Sequence, residues 1–354
     1  MRPAAGDHGR FHQGVAVVLT GRLRGHMLNL ENKTDMKQGV IIGFLGKTRD
    51  RFSEYQAPAG VRERLEIVKQ IEGFDGVEIV FPYETGDPDE TKGWMDELGL
   101  NFAAVNVNIK KEPEWVPGAL SRPVKEIRDR AVELIRKGKD YAEAVGAPHV
   151  TCCPLSDGYD VLFQVDYSTA WKYMIETIGE AADYKPEIPL FIEPKYSETR
   201  VHCQLDTTAR ALLLLKEVGN PHTGITLDMG HSLQSQENPA QSLVTIYESG
   251  FDAYIHTNDN DTRADWDLVG ASRHFLHYVE LMFWAREYQY SKYFTTDASP
   301  RIFGMVDFFE RHSEVSRGVW ELAGKLDRRK YRRLMDEENY IELMRLVNKE
   351  IYRV

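Results

Sequence analysis

From residue 39 onward, short apolar runs rich in Val, Ile and Phe alternate with longer stretches whose apolar positions recur three and four apart. Uninterrupted runs of that length suit strands buried on both faces, and the wider spacing suits helices that cover them. The chain therefore reads as successive βα units around a parallel sheet. Eight runs read as strands: 39–44, 76–82, 101–109, 149–154, 188–194, 224–230, 252–258 and 292–298. Between them, "PAGVRERLEIVKQI" opens with a proline near the first turn, and "PVKEIRDRAVELIRKGKDYAEAVG" ends in glycine. "DTTARALLLLKEVG" has a capping start and a glycine stop, and the aromatic face of "RHFLHYVELMFWAREY" reads as packing. Eight strands are what a closed ring needs, so the expected fold is α/β, a (β/α)8 TIM barrel. The rival, an open doubly wound sheet, is disfavoured because no Gly-rich nucleotide loop follows the first strand.

The ends are less regular. Residues 1–37 read as a loose leader, 38–300 as the barrel, and 301–354 as a helical C-terminal extension that packs on the barrel or on a neighbouring subunit. The run "GVAVVLTG" is too short to span a bilayer, and no other segment is long and apolar enough, so a membrane is not an expected partner and the cytoplasm is the expected location. Cys152 and Cys153 are adjacent and poorly placed to pair with each other, and with Cys203 they make an odd number. Both points favour buried thiols in a reducing compartment. A net charge of -11 repels phosphate backbones, so nucleic acid is not expected either.

Ionisable residues recur at the C-terminal ends of the later strands: Glu193 in "IPLFIEPK", Asp228 in "GITLDMGH" with His231 after it, His256 in "AYIHTND", and Asp297 in "YFTTDASPR". In a barrel these ends converge on one rim, where active sites sit. Three crowded carboxylates repel unless a proton or a cation neutralises them. Oxygen donors with an imidazole suit Mn2+, Co2+ or Mg2+. The loop "NDNDTRADWDLVG" adds Asp265 and Asp267 on either side of Trp266, while its other acids read as solvated. With His231, and Asp228 as a bridge, this pair can build a second metal position, and two ions can clamp substrate oxygens about a reacting bond. Lys195, two residues after Glu193, is suited to donate a charge-assisted hydrogen bond to a carbonyl or alkoxide oxygen.

These residues resemble the xylose isomerases and their relatives in the xylose isomerase-like barrel superfamily. The segment "IEPKYSETRVHCQLDTTARALLLLKEVG" carries the fifth-strand Glu-Pro-Lys motif at Glu193, Pro194 and Lys195. By that resemblance Glu193 binds metal and Lys195 contacts the sugar carbonyl oxygen. Asp228 and His231 fall on the bridging and second-site ligands, Asp265, Asp267 and Leu268 on the Asp-x-Asp-Leu motif, and Asp297 on the last-strand aspartate. The stretch 156–171 is similar to the Gly-Tyr-x-x-Leu segment after strand four. Three features depart from xylose isomerase itself. The region "GFLGKTRDRFSEY" has no histidine, Cys152 and Cys153 stand where a tryptophan walls the sugar, and His256 replaces a seventh-strand aspartate. That histidine is usual in rhamnose isomerases, ketose 3-epimerases and endonuclease-IV-like barrels.

The resemblance implies a divalent-metal-dependent sugar isomerase that interconverts an aldose and a ketose by metal-assisted hydride shift, with one or two ions per subunit. Lys195, Glu193, Asp297 and Asp265 are its expected catalytic residues, its expected substrate is a small polyhydroxy carbonyl compound, and a homodimer or homotetramer is its expected assembly. The alternatives are a one-metal ketose 3-epimerase using Glu193 and Asp297 as acid and base, or a related enolising sugar lyase. An abasic-site endonuclease would need more ligands and a basic groove, and a non-enzymatic carbohydrate-binding barrel would need no reactive metal geometry.

Overall fold

Each of the eight apolar runs forms a strand in the computed structural model, which describes residues 35–198 and 201–354. Residues 1–34 of the stretch read as a leader lie outside the described residues. The strands are β1 (Gln38–Ile41), β2 (Gly76–Phe81), β3 (Asn101–Val107), β4 (Val150–Cys152), β5 (Leu190–Ile192), β6 (Thr223–Asp228), β7 (Asp252–Thr257) and β8 (Phe294–Thr296). Each pairs in parallel with its chain neighbours, and β1 pairs with both β2 and β8, so the sheet closes into a barrel. Closure leaves no open strand edge.

Burial explains the pattern of the sequence. All six residues of β6 and all three of β4 and β5 are buried. The outward positions pack under the helices, and the inward ones fill the barrel. That interior is partly polar: Thr151 and Thr226 share a hydrogen bond of 2.5 Å, and His149 lies against the rings of Phe191 and Tyr254.

The helices follow their local signals. Helix α3 (Lys125–Val145) stops at Gly146 in the left-handed conformation. In α5 (Thr208–Val218) the Thr207 side chain accepts from the Arg210 N–H, and Gly219 ends the helix. Helices α1 (Val61–Gln70), α2 (Pro88–Leu98), α4 (Tyr167–Asp183), the short α6 (Met229–Gln234), α7 (Pro239–Glu248) and α8 (Phe275–Glu287) complete the surround up to β8. After β8, α9 (Met305–Lys325) packs against α8 and α1. Helices α10 (Arg328–Asp336) and α11 (Tyr340–Val347) and a final turn over Asn348–Tyr352 follow. Tyr331 of α10 meets Phe283 of α8, and Tyr352 meets Phe275, so the extension packs on its own barrel.

Two short antiparallel ribbons decorate the upper face: Thr48–Arg49 with Glu54–Tyr55, and Gly158–Tyr159 with His202–Cys203. No helix among the described residues is long and apolar enough to cross a membrane. All three cysteines are buried and free.

Candidate metal centre and catalytic cleft

Parallel register builds the site. Asp228 on β6 stands beside His256 on β7, and His256 stands beside Thr295, two residues before Asp297. Ile192 on β5 stands beside Ile225, which brings Glu193 to the same rim. Glu193, Asp228, His256 and Asp297 each offer one donor atom, and these four atoms lie within 4.8 Å of one another. An ion bonded at roughly 2.1–2.2 Å keeps its donors within about 4.4 Å, so the cluster is a few tenths of an ångström from closed coordination. The donor set fits one divalent ion.

The imidazole is aimed for that task. His256 Nδ1 is 3.3 Å from Glu193 Oε1 and 3.5 Å from Asp297 Oδ2, while Nε2 donates to Glu78 Oε2 at 3.0 Å. Glu78 itself is buried on β2 and also accepts from Tyr254 and Asn106. A carboxylate behind a ligating histidine fixes its tautomer and raises its basicity. Glu78 escaped the sequence reading because it sits alone inside the apolar run "GVEIVFP". An acid at a buried position of a parallel strand was the available signal.

Burial and neighbouring charges set the protonation of the cluster. Burial, opposed by His231 but reinforced by Asp297, Asp265 and Glu193, pushes Asp228 up to about 7. Burial acts the same way on Glu193, but His256 and His231 outweigh it and hold that carboxyl at about 2. The His256 imidazole is driven well up, because Glu78 and Glu193 more than offset its burial. Protons and imidazolium charge thus balance the crowded acids.

His231, Asp265 and Lys195 form a second network against the first. His231 Nδ1 is 3.2 Å from the Pro194 carbonyl oxygen and 3.3 Å from Glu193 Oε1, and Nε2 donates to Asp265 Oδ2 at 3.2 Å. Lys195 donates to the same Asp265 oxygen at 2.9 Å and also to Glu198. Burial would raise Asp265, but Lys195 and His231 hold it below the usual carboxylate range. Asp267 lies in the same cleft, 3.5 Å from Arg301, with its carboxyl pushed well up by burial, Asp265 and Asp297. All seven ligand candidates are thus brought to one rim. Four of them converge on a point, and His231, Asp265 and Asp267 surround lysine and arginine side chains.

The cleft over these groups has a volume of about 450 Å3, in the range of small-molecule sites. Asn106, Asn108, Lys110 and Cys153 complete its wall. A larger cleft of about 750 Å3 lies beside α4 and α5, lined by Trp171, Ile175 and Leu213. Its described lining carries one acid, Glu217, whereas Glu193, Asp265, Asp267 and Asp297 all line the smaller one.

Comparison with known proteins agrees with this architecture. A xylose isomerase of Bacillus pumilus (strain SAFR-032) is 23% identical over 184 residues, 51% of this chain and 41% of that protein. One from Halalkalibacterium halodurans is 22% identical over 181 residues, 50% and 41% of the two chains. The chain thus spans about two-fifths of the length of these curated relatives. Among solved structures, the 3-keto-D-glucoside 4-epimerase YcjR of E. coli superposes with a TM-score of 0.62 at 17% identity, covering 80% of this chain and 100% of that one. A D-psicose 3-epimerase of Clostridium cellulolyticum H10 gives 0.57 at 14% identity, covering 81% and 98%. The family model described as "Xylose isomerase-like TIM barrel" matches residues 65–340, and the chain belongs to that family.

Proposed function

We propose that the chain is a divalent-metal-dependent epimerase that inverts a carbon beside the carbonyl group of a small sugar. The observation that carries this reading is the convergent site of Glu193, Asp228, His256 and Asp297, the one such cluster among the described residues, in which two carboxylates from strand ends three apart around the barrel flank one point. The groups that would hold a second ion are engaged instead: Asp265 by Lys195 and His231, Asp267 by Arg301. An ammonium beside Asp265 competes with a further cation there.

A bound Mn2+, Co2+ or Mg2+ would polarise the carbonyl and acidify the neighbouring C–H bond. Glu193 and Asp297 serve as base and acid. One carboxylate takes the proton as the C–H bond breaks, and the electron pair moves onto the carbonyl oxygen to give an enediolate. The other carboxyl returns a proton to the opposite face as the carbonyl re-forms, so atoms and charge balance. Lys195, pinned by Asp265 and Glu198, orients a substrate hydroxyl. The epimerases with similar folds are consistent with this chemistry on such a barrel.

The second reading is aldose–ketose isomerisation by hydride shift with two ions. Its support is the Glu193–Lys195 spacing and the Asp265/Asp267 pair, together with the xylose isomerase names of the curated relatives. Metal-loaded protein incubated with aldoses and ketoses in deuterated water separates the two when products are followed by NMR. Epimerisation places solvent deuterium at the inverted carbon. An aldose–ketose product without solvent deuterium would replace the epimerase reading by the isomerase one.

A further inference from the structure

Lys110 stands out among the cations of the cleft. Lys195 meets Asp265 and Glu198, Arg301 meets Asp267, and His231 meets Asp265. The Lys110 ammonium has no carboxylate within ion-pair distance among the described residues, yet it lines the cleft with Glu193 and Asp297 as electrostatic neighbours. Its place is built. It follows β3 by three residues, and the Asn108 side-chain oxygen accepts from the backbone N–H groups of Lys110 and Lys111 at 3.1 and 3.0 Å. Ile109 between them is fully buried. The adjacent Lys111 lies over the Tyr83 ring instead, so the two lysines are not equivalent.

The Lys110 side chain is half-buried, and a partly desolvated ammonium without a counter-ion is costly. Cys153, Glu193 and Asp297 favour its charge at a distance, against burial and Lys195. A divalent ion held by Glu193 and Asp297 would take up the charge of those carboxylates and leave Lys110 facing the cleft without compensation. The counter-charge that then fits is one that develops in the cleft itself.

We propose that Lys110 is a catalytic residue whose ammonium hydrogen-bonds the substrate oxygen that gains negative charge when the adjacent carbon loses its proton. Lys195 does not fill this role while two carboxylates hold it. The inference rests on the proton-transfer reading above. Preorganised donors aimed at a developing oxyanion in a water-poor site are worth about 10²–10³ in turnover.

The test uses the full-length metal-loaded protein, Lys110→Gln, and Lys110→Met in case the glutamine variant does not fold. Calorimetry would measure a four-carbon polyhydroxy hydroxamate, which carries an enediolate-like oxyanion, against a neutral polyol of the same length. Expected are a loss of about 30-fold or more in hydroxamate affinity, polyol affinity and metal content nearly unchanged, and a kcat fall of about 10²-fold with KM little moved. Equal weakening of both ligands, or of neither, overturns the proposal, as does loss of metal. Exchange in deuterated water keeps the two ideas apart. Wild type that exchanges no sugar proton, but whose hydroxamate affinity depends on Lys110, removes the epimerase reading and leaves the oxyanion contact standing. A Lys110→Gln protein that exchanges at the wild-type rate does the reverse, and wild type that neither exchanges nor binds hydroxamate removes both.

Discussion

His256 is held from two sides, and this decides what it can do. With Nε2 donating to Glu78, Nδ1 is left for the cluster of Glu193, Asp228 and Asp297. Replacing Glu78 by Gln keeps the volume but lets the amide turn an N–H toward the ring, so the imidazole loses its fixed orientation. Glu78→Gln is expected to weaken metal binding by about 10–100-fold. Apparent affinity in both proteins should rise with pH through about 7, because Asp228 must shed the proton that burial and neighbouring acids help it keep. Titration of metal into chelator-treated protein from pH 6 to 8 reads both effects. Affinity unchanged by the substitution would show that Glu78 does not orient the ligand. At this scale the sequence spoke through position: Glu193, Asp228, His256 and Asp297 end apolar strands. Glu78 and Lys110 were silent because one is a lone acid within a strand and the other half of an ordinary-looking lysine pair. Only the barrel's closure brings Glu78 against His256 and Lys110 to the cleft.

The loops above the barrel are set by a buried acid that binds no metal candidate. Asp157, after β4, is fully buried, and its carboxylate accepts from the backbone N–H groups of Ala119, Leu120 and Ser121 and from the Ser121 hydroxyl. The chain can wrap it because Gly118 takes a φ of 110°, where a side chain would be strained. Next to it, a Cβ on Gly158 would lie 2.0 Å from the His202 carbonyl oxygen, so only glycine lets the ribbon over Gly158–Tyr159 and His202–Cys203 close. Asp157→Ala leaves three buried N–H groups without an acceptor and is expected to cost about 3–5 kcal/mol, read as a lower urea midpoint. A variant within about 1 kcal/mol of wild type would mean that water or a loop shift replaces the carboxylate. Strands and long helices were legible because they obey a period, and burial on both faces made the strands continuous apolar runs. Two-residue ribbons and a carboxylate cradled by backbone leave no periodic trace. The cradle and the ribbon over Gly158–Tyr159 depend on contacts between segments some forty residues apart.

For the whole molecule, the metal centre is a stability question as well as a chemical one. Closing the barrel brings Glu193, Asp228 and Asp297 onto one rim, and without an ion the burial of Asp228 and its repulsion by Asp297 and Glu193 oppose folding. An ion that binds the folded state alone adds about 2.7 kcal/mol at a concentration one hundred times its Kd. With an unfolding entropy near 2.1 cal/mol/K per residue, that corresponds to a rise of about 4 °C in Tm for a barrel of this size. Chelation should remove it. Asp297→Asn separates the two contributions, because it deletes one repelling charge and one ligand together. Its metal-free Tm should equal or exceed that of metal-free wild type, since Asp297 is among the charges that push Asp228 and Asp267 up. Adding Mn2+ should then raise its Tm by much less than the wild-type amount. Scanning calorimetry of both proteins, with and without metal, gives all four values. If metal-free Asp297→Asn melts well below wild type and still gains the full shift on loading, Asp297 is a structural residue and the four-ligand centre is wrong. If the pattern holds, the rim trades stability for the charge density that an active site needs, and the ion restores what folding gave up there.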